Sequence, residues 1–431
     1  MKDTARPVLT DLPERYALAN ELHARPFPNL VVPCHAVYLA VMPENAQQRD
    51  RDEDRRHLLT LLDRFGISHP KPGATHYFGD LGKHKIKWEC HTEFTTYTIF
   101  TDGVADRPFD PAAFDVFPAD WLADLPGHRL TSALIRMEIL EEAEEDAIAR
   151  ATQWFVPESM AVSRVVDDSA LIAGDFRIDS AGHMRFAMFV RPGVGNRRVG
   201  RIVQRLAEIE TYKSMSMLGL PMARHLSKRM GELDHELTQL VGDMTKTFAK
   251  PDESLGALLA IAAELESLLA RSTFRFGATS AYEAIVLQRI AALREERLGG
   301  RQTFEEFMTR RFDPAMRTVK STESRLQAMA QRAIRAGDLL RTRVDVERQS
   351  QNQKLLESMD KRADLQLRLQ KTVEGLSVVA ISYYAVNLVL YLIGPFGETL
   401  GLTKLVLTAI TTPLVILAVW AMVRRIRRSM E

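Results

Sequence analysis

Histidines and a cysteine are the residues of this chain that come closest to a metal site. His69, His76, His84 and His91 lie in one short stretch that also contains Cys90. Imidazole and thiolate groups are the ligands that Zn²⁺ prefers. His84 and Cys90 fall on one face of a predicted strand but are six residues apart, which is roughly 20 Å along an extended chain. We therefore expect scattered histidines here and no metal ion.

A glycine-rich turn follows the predicted strand MRFAMFV and precedes a predicted helix. Phosphate-binding loops occur at such places, but the spacing from Gly193 to Gly200 matches neither the dinucleotide fingerprint nor a Walker loop. Asn196 is a candidate helix cap. Arginines at a helix start oppose the helix dipole, which favours an anionic partner such as a phosphate or a lipid headgroup. We favour a structural turn over such a site. The candidate anion contacts are Arg197, Arg198 and Arg201.

The segment EILEEAEEDAIAR concentrates carboxylates between Glu141 and Asp146. Carboxylate oxygens bind divalent cations, but the segment lacks the alternating ligands and the glycine of a calcium loop. A solvated helix explains it better. The chain also has no Gly-x-Ser-x-Gly, His-Glu-x-x-His or Cys-x-x-Cys motif. We therefore predict no catalytic residue, no cofactor and no enzymatic activity.

The composition narrows the classes of protein to which this chain could belong. The chain has 431 residues, which suggests two to three folding units, and a net charge of +1, which gives no nucleic-acid signature. Its two cysteines cannot form a disulfide framework and fit a reducing compartment. The N-terminal segment lacks the apolar core of a signal peptide. Most of the protein is therefore expected to stay on the cytoplasmic side.

Residues 31–198 show a mixed α/β pattern. The run from His84 to Phe100 alternates polar and apolar residues, which predicts a half-buried strand of an antiparallel sheet, with Lys87 and Glu89 on its polar face. A helix with a glycine stop is expected over Arg55–Gly66. The other predicted strands are Val37–Met42, Ala133–Leu140, Ala161–Val166, Ala170–Ile178 and Met184–Val190.

From Val199 onward the pattern predicts only helices, with a kink or a restart at Pro221. No proline lies between Pro314 and Pro395, so one long helix, or two nearly collinear helices, can span that interval. An apolar seam marks its first half, and the polar residues 348–353 interrupt that seam. The seam consists of Leu326, Met329, Ala333, Ala336, Leu340 and Val344.

Two uncharged apolar runs, Leu376–Ile393 and Leu405–Val423, end the chain. Each is about as long as the ~20 residues that a helix needs to cross a bilayer. Basic residues precede the first run and follow the second, whereas the loop between them has one lysine at its edge. Positive residues stay in the cytoplasm. We therefore predict a hairpin in the bacterial inner membrane with both termini cytoplasmic.

Near the N-terminus, the segment ERYALANELHARPFP reads as a short helix followed by an extended arm. His23, Arg25 and Phe27 could form a recognition site, but an arm that pins itself onto the following domain is the favoured interpretation. The segment resembles the opening of domain of unknown function 3422, a bacterial family of membrane-anchored proteins that ends in a two-helix hairpin. The resemblance extends over nearly the whole chain and implies no activity. The residues that carry it include Glu21, His23, Arg25, Pro26, Phe27 and Pro28.

The layout of an α/β domain, a long helix and a hairpin is similar to that of the CorA-type magnesium channels. That family has a Gly-Met-Asn signature after its first span, where this chain reads Gly-Pro-Phe-Gly-Glu-Thr from Gly394. Glu398 could concentrate cations at an outer mouth, and Asn387 lies within the first span. We favour simpler explanations, in which Glu398 is a solvated loop residue and Asn387 makes an interhelical hydrogen bond.

The predicted fold class is an α+β cytoplasmic domain followed by an all-α region with a long stalk helix and a two-helix transmembrane hairpin. The predicted function of the protein is that of a non-enzymatic scaffold or sensor that is anchored in the lipid bilayer and forms a homo-oligomer. The alternative is a CorA-like divalent-cation channel or transporter. The predicted divisions are 1–30 (helix and arm), 31–198 (α/β), 199–313 (helical), 314–375 (stalk), 376–423 (hairpin) and 424–431 (basic tail).

Overall fold

The structure, a computed structural model, describes residues 10–21, 27–44, 49–141, 143–243, 251–399 and 403–430. The strands are β1 (Cys34–Met42), β2 (His76–Leu81), β3 (His84–Cys90), β4 (Thr95–Asp102), β5 (His128–Ile139), β6 (Ala161–Val165), β7 (Ala170–Gly174), β8 (Met184–Val190) and β9 (Glu296–Arg297). The helices are α1 (Arg15–Glu21), α2 (Arg51–Arg64), α3 (Ala119–Ala123), α4 (Glu144–Trp154), α5 (Asn196–Met217), α6 (Gly219–Asp243), α7 (Pro251–Leu293), α8 (Phe304–Arg311), α9 (Asp313–Thr399) and α10 (Lys404–Met430).

One sheet contains these nine strands in the order β2-β3-β4-β1-β5-β8-β7-β6-β9. Neighbouring strands are antiparallel except β5 and β8, which are parallel. The parallel pair was not predicted, and neither were β2 and β9. The expectation of helices alone after Val199 is therefore wrong at β9, which adds two residues to the edge of the sheet. The predicted strand Ala170–Ile178 ends earlier, at Gly174.

Helices cover both faces of the sheet. On one face, apolar residues of α5, α7 and α8 pack against alternate residues of the central strands, such as Ala36 and Phe186. On the other face, α2 and α3 pack over one half of the sheet and α4 over the other half. The first unit is thus a three-layer α/β arrangement of the α+β class, with a core on each side of the sheet.

The polar face of β3 is the main departure from the sequence pattern. Lys87 and Glu89 were expected in solvent, but both are buried. The Lys87 ammonium donates a hydrogen bond to the Gln204 side chain of α5 at 2.8 Å, so α5 lies over this face. The prediction of a half-buried strand is therefore wrong, because alternation reports polarity and not which helix will cover it.

Helices α5 and α6 are separated at Leu218, and Pro221 lies in the first turn of α6. The predicted restart near Pro221 is confirmed. A Cβ atom on Gly219 would lie 2.4 Å from the Thr279 hydroxyl oxygen, so glycine permits this close approach to α7. Helix α7 is continuous over 43 residues.

The chain divides into two compact units, one of residues 1–246 and 256–335 and one of residues 247–255 and 336–431. Helix α9 begins in the first unit and is continuous, so of the two predicted alternatives the single long helix is the one observed; it also passes through Pro395. The six residues of the predicted apolar seam, Leu326 to Val344, are all buried. In the first unit, Arg325 and Arg332 of α9 also form ion pairs with Asp234 of α6.

Candidate functional site

The predicted anion site lies at the start of α5, where the turn after β8 leads into the helix. Gly193 has a φ of +83°, which favours glycine, and Gly195 is the N-cap residue. Asn196 was a candidate cap, but it is the first residue of the helix, and no side chain caps this end. The uncapped amides and three arginines line a shallow, open depression together with Asn29 and Pro192.

Two of the three arginines have partners within the protein. The Arg198 guanidinium donates a hydrogen bond to the Ser169 hydroxyl at 3.0 Å. The Arg201 guanidinium lies 5.2 Å from the centroid of the Phe27 ring, in cation–π geometry. Arg197 is exposed. The depression therefore carries three positive charges, two of which also serve local packing.

The end of the N-terminal arm packs onto this same helix start. The Leu30 amide donates a hydrogen bond to the Asn196 carbonyl at 3.3 Å. Gly200 leaves space for the arm, because a Cβ atom there would lie 1.8 Å from the Pro28 carbonyl oxygen. Phe27 and Pro28 therefore pin the arm to the domain. His23, Arg25 and Pro26 lie outside the described residues, as does the side chain of Glu21 at the end of α1.

The two apolar runs are helical and exposed. Two segments, Phe304–Pro395 and Lys404–Ile426, contain stretches that are long and apolar enough to cross a membrane, and 6% of each apolar stretch is buried. Asn387 is half-buried within the first stretch. Glu398 lies near the end of α9, where its side chain is not described. The two residues are separated by roughly 16 Å of helix, so they do not form one site.

These features extend over almost the whole chain, and so does the match to a known family. A family model described as "Protein of unknown function (DUF3422)" matches residues 10–430. The chain belongs to this family. The match includes all nine strands and both apolar helices, so the sheet and these helices belong to one DUF3422 region. No match to a curated protein was found.

A cleft between β3, β4 and α5 holds charges that the sequence placed in solvent. In this DUF3422 protein, the Lys87 ammonium lies 3.0 Å from a Glu89 carboxylate oxygen and also contacts Gln204. Gln204 donates a hydrogen bond to Glu208 at 2.8 Å, and Glu208 pairs with Arg289 of α7. Pro28 lies at the edge of the cleft. The chain of contacts joins the sheet to α5 and α7, so these charges stabilise the fold.

A second buried network surrounds Arg49. Its guanidinium donates hydrogen bonds to Asp54 at 2.6 Å and to the Thr95 hydroxyl, the His91 carbonyl and the Cys90 sulfur. Burial raises the pKa of Asp54 against the opposing effect of Arg49. Burial also raises the pKa of the Cys90 thiol, which makes it a poor nucleophile at neutral pH. No sequence pattern marked Arg49, since its partners come from three segments.

Three of the four histidines predicted to be scattered are engaged separately, whereas the buried Nδ1 atom of His76 has no hydrogen-bond partner among the described residues. His84 shares a hydrogen bond with the Thr101 hydroxyl, His69 contacts Asp63, and the His91 ring stacks on Phe94. Within the described ranges, no group of three histidine, cysteine or acidic side chains could hold a metal ion. Cys34 and Cys90 are free thiols and both are buried.

The acidic segment is partly an ion-pair clamp. Glu144, at the start of α4, accepts hydrogen bonds from Arg164 of β6 at 2.6 Å and from Arg191 beyond β8. The hydrogen bond from Arg164 is the largest contribution to a lowered pKa of Glu144. Glu145 and Asp146 are exposed on the helix, and Glu142 lies outside the described residues. The helix was predicted, whereas the cross-sheet clamp was not.

Proposed function

We propose that this protein is a non-enzymatic scaffold or sensor that α9 and α10 anchor in a membrane, with its folded N-terminal unit in the cytoplasm and with copies of the chain associated with one another. The single observation that carries the proposal is the exposure of the two apolar helices. Tyr391 and Leu405 are 84% and 82% exposed, respectively. A soluble protein rarely leaves a continuous apolar surface of this length uncovered.

The distribution of positive charge supports a cytoplasmic location for both termini. The two apolar stretches contain no charged residue, and arginines and lysines flank them on the outer ends of the hairpin. Such residues remain on the cytoplasmic side during insertion. The Arg424 guanidinium lies 5.0 Å from the Trp420 ring, a pair of side chains suited to the membrane–water interface. The flanking basic residues are Arg362, Arg368, Lys371, Arg424, Arg425, Arg427 and Arg428.

The scaffold or sensor role is supported by how the first unit uses its buried charges. Lys87, Glu89, Arg49 and Asp54 are all engaged in ion pairs or hydrogen bonds that join elements of the fold. Such pairs make the unit rigid and specific in structure rather than reactive. A rigid unit at a membrane is suited to presenting binding surfaces.

The anchoring is tested by placing charges in the two spans. The variant Leu388→Arg/Leu417→Arg introduces one arginine into each span at exposed positions, each at a cost of roughly 2.5–3.5 kcal/mol for insertion. We expect wild-type protein in the membrane pellet after alkaline carbonate washing and the double variant largely in the supernatant or degraded. The control Leu355→Arg changes an equally exposed leucine outside the apolar stretch and should stay in the pellet.

Wild-type protein that carbonate releases from the membrane would contradict the anchoring. The CorA-like channel remains a separate prediction, and it requires Mg²⁺ flux through the purified protein in liposomes. Flux above that of protein-free liposomes that changes in Glu398→Gln or Asn387→Leu variants would replace the scaffold proposal with transport.

A further inference from the structure

One side of α9 carries no charge over a stretch that begins before the first span and ends inside it. Its residues recur at steps of three and four, which places them on one face of a helix. All of them are exposed except Asn387, which is half-buried. We call this face the uncharged seam; it consists of Gln366, Leu369, Val373, Leu376, Ala380, Tyr383, Asn387 and Tyr391.

The opposite side of α9 is charged before the span and contains a buried residue within the span. Before the span it carries Asp364, Arg368, Lys371 and Glu374, which need water. Within the span it carries Ser382, which is 6% exposed and thus already shielded within the chain. The uncharged seam is therefore a side of α9 that is both exposed and free of charge, inside and outside the apolar stretch.

Asn387 indicates what covers the seam. Its side-chain amide takes part in none of the hydrogen bonds found among the described residues, and it lies in the middle of an apolar span. Lipid tails offer no hydrogen-bond partner, and intramembrane amides pair across helices instead. The occupant must therefore provide a polar group at the same depth. Because Gln366 and Leu369 lie before the span, the occupant must also follow the helix out of the bilayer.

A second copy of this chain meets both requirements. Its α9 enters the membrane from the same side, so the two helices run parallel and place the two Asn387 residues at the same depth. A single asparagine in an apolar seam fixes the register of parallel helices. The seam ends at Gln366, because the next residue on this face is Arg362, four residues earlier. In a parallel pair of helices, the two Arg362 side chains would place like charges next to each other.

We propose that the uncharged seam binds the same seam of a second copy, parallel and in register, with the two Asn387 amides hydrogen-bonded inside the bilayer. This inference rests on the proposed membrane anchoring and names the surface through which the chains associate. The charged side of α9 faces water before the span, and the buried Ser382 lies on that same side within the span.

Cysteine cross-linking in membranes tests the surface with a matched pair of positions. Leu369 lies in the seam, and Leu367 lies two residues earlier, roughly 200° around the helix; the two are 63% and 56% exposed. We expect mild oxidation of membranes that contain the full-length Leu369→Cys variant to give a disulfide-linked dimer. The Leu367→Cys variant should not exceed wild type, whose two cysteines are buried.

The outcomes separate this inference from the anchoring on which it rests. Equal cross-linking at both positions, none at Leu369→Cys, or a link to a different protein would overturn the seam while the chain remains in carbonate-washed membranes. A chain that is absent from those membranes would instead overturn the anchoring.

A second measurement tests the role of Asn387. In detergent, analytical ultracentrifugation of Asn387→Leu should show self-association that is roughly threefold to thirtyfold weaker than that of wild type. Asn387→Gln keeps an amide and should retain most of the affinity. Ser382→Ala, which removes a polar group from the shielded side, should leave the affinity unchanged. Loss of affinity in Ser382→Ala but not in Asn387→Leu would contradict the proposed register.

Discussion

The two compact units differ in where they place apolar and charged side chains. In the first unit, apolar side chains such as Leu58 and Trp88 are fully buried, and even Lys87 is covered. In the second unit, from Asp345 to Val373 of α9, every side chain is exposed, and the apolar helices that follow are exposed as well. The difference teaches that the first unit covers its own apolar side chains, whereas the second leaves a long apolar surface exposed, which is the observation behind the proposed membrane anchor.

The largest loss of stability is expected when a buried charge in the first unit loses its ion-pair partner. Arg49→Met leaves Asp54 without its cation in a site where both side chains are 4% exposed. We expect a loss of about 3–5 kcal/mol in the free energy of unfolding, because the remaining carboxyl is buried without its partner. Urea unfolding of the full chain in detergent, followed by tryptophan fluorescence, measures this change.

The matched control is Arg64→Met, which removes an exposed partner of Asp120. An exposed pair contributes about 0–1 kcal/mol, so this variant should be nearly as stable as wild type. Equal losses in the two variants would mean that burial does not distinguish these ion pairs.

The next largest loss of stability is expected from a leucine-to-alanine change in the first unit, which we compare with the same change in the second unit. Leu58→Ala removes a fully buried side chain from the core between α2 and the sheet. We expect a loss of about 2–5 kcal/mol in the free energy of unfolding, because a cavity remains. Leu356→Ala changes a leucine that is 65% exposed on α9, and surface changes usually stay within about 0.5 kcal/mol. A large loss in Leu356→Ala in monomeric protein would show that this part of α9 is covered after all.

The smallest loss of stability is expected at Glu144, and it depends on pH. Arg164 lowers the pKa of Glu144 below its usual 4.5, so this carboxylate stabilises the fold above that pH. The contribution disappears as the pH falls through the lowered pKa, because the folded protein then also takes up the proton. Glu144→Gln should therefore lose about 1 kcal/mol near neutral pH and approach wild-type stability in acid, once the pH lies below the lowered pKa.

Urea unfolding at the two pH values measures that difference. Glu145→Gln removes the same charge from the same helix turn, but at an exposed position, and its stability should change little at either pH. A deficit of Glu144→Gln that persists unchanged in acid would contradict the clamp with Arg164 and Arg191.

Much of the fold could be predicted because local patterns carry it. Alternation located β3 and β4, the run MRFAMFV matched β8 at both ends, and the absence of proline allowed the single long helix α9 as one of two alternatives. The parallel pairing of β5 with β8 was not predictable, because no local pattern reports which distant strand lies alongside. β9 was missed for a similar reason, since two polar residues form a strand only where a sheet edge accepts them.

The candidate site was predictable only as a set of residue types. The glycines and arginines around Asn196 do meet at one helix start, but the pairing of Arg198 with Ser169 and of Arg201 with Phe27 required the fold. The sequence alone determined the apolar seam of α9 and the two uncharged apolar helices, because hydrophobicity and helical periodicity are local properties. Only the tertiary structure decided that Lys87, Glu89, Arg49 and Asp54 are buried, because distant segments supply the partners that make the burial of a charge tolerable.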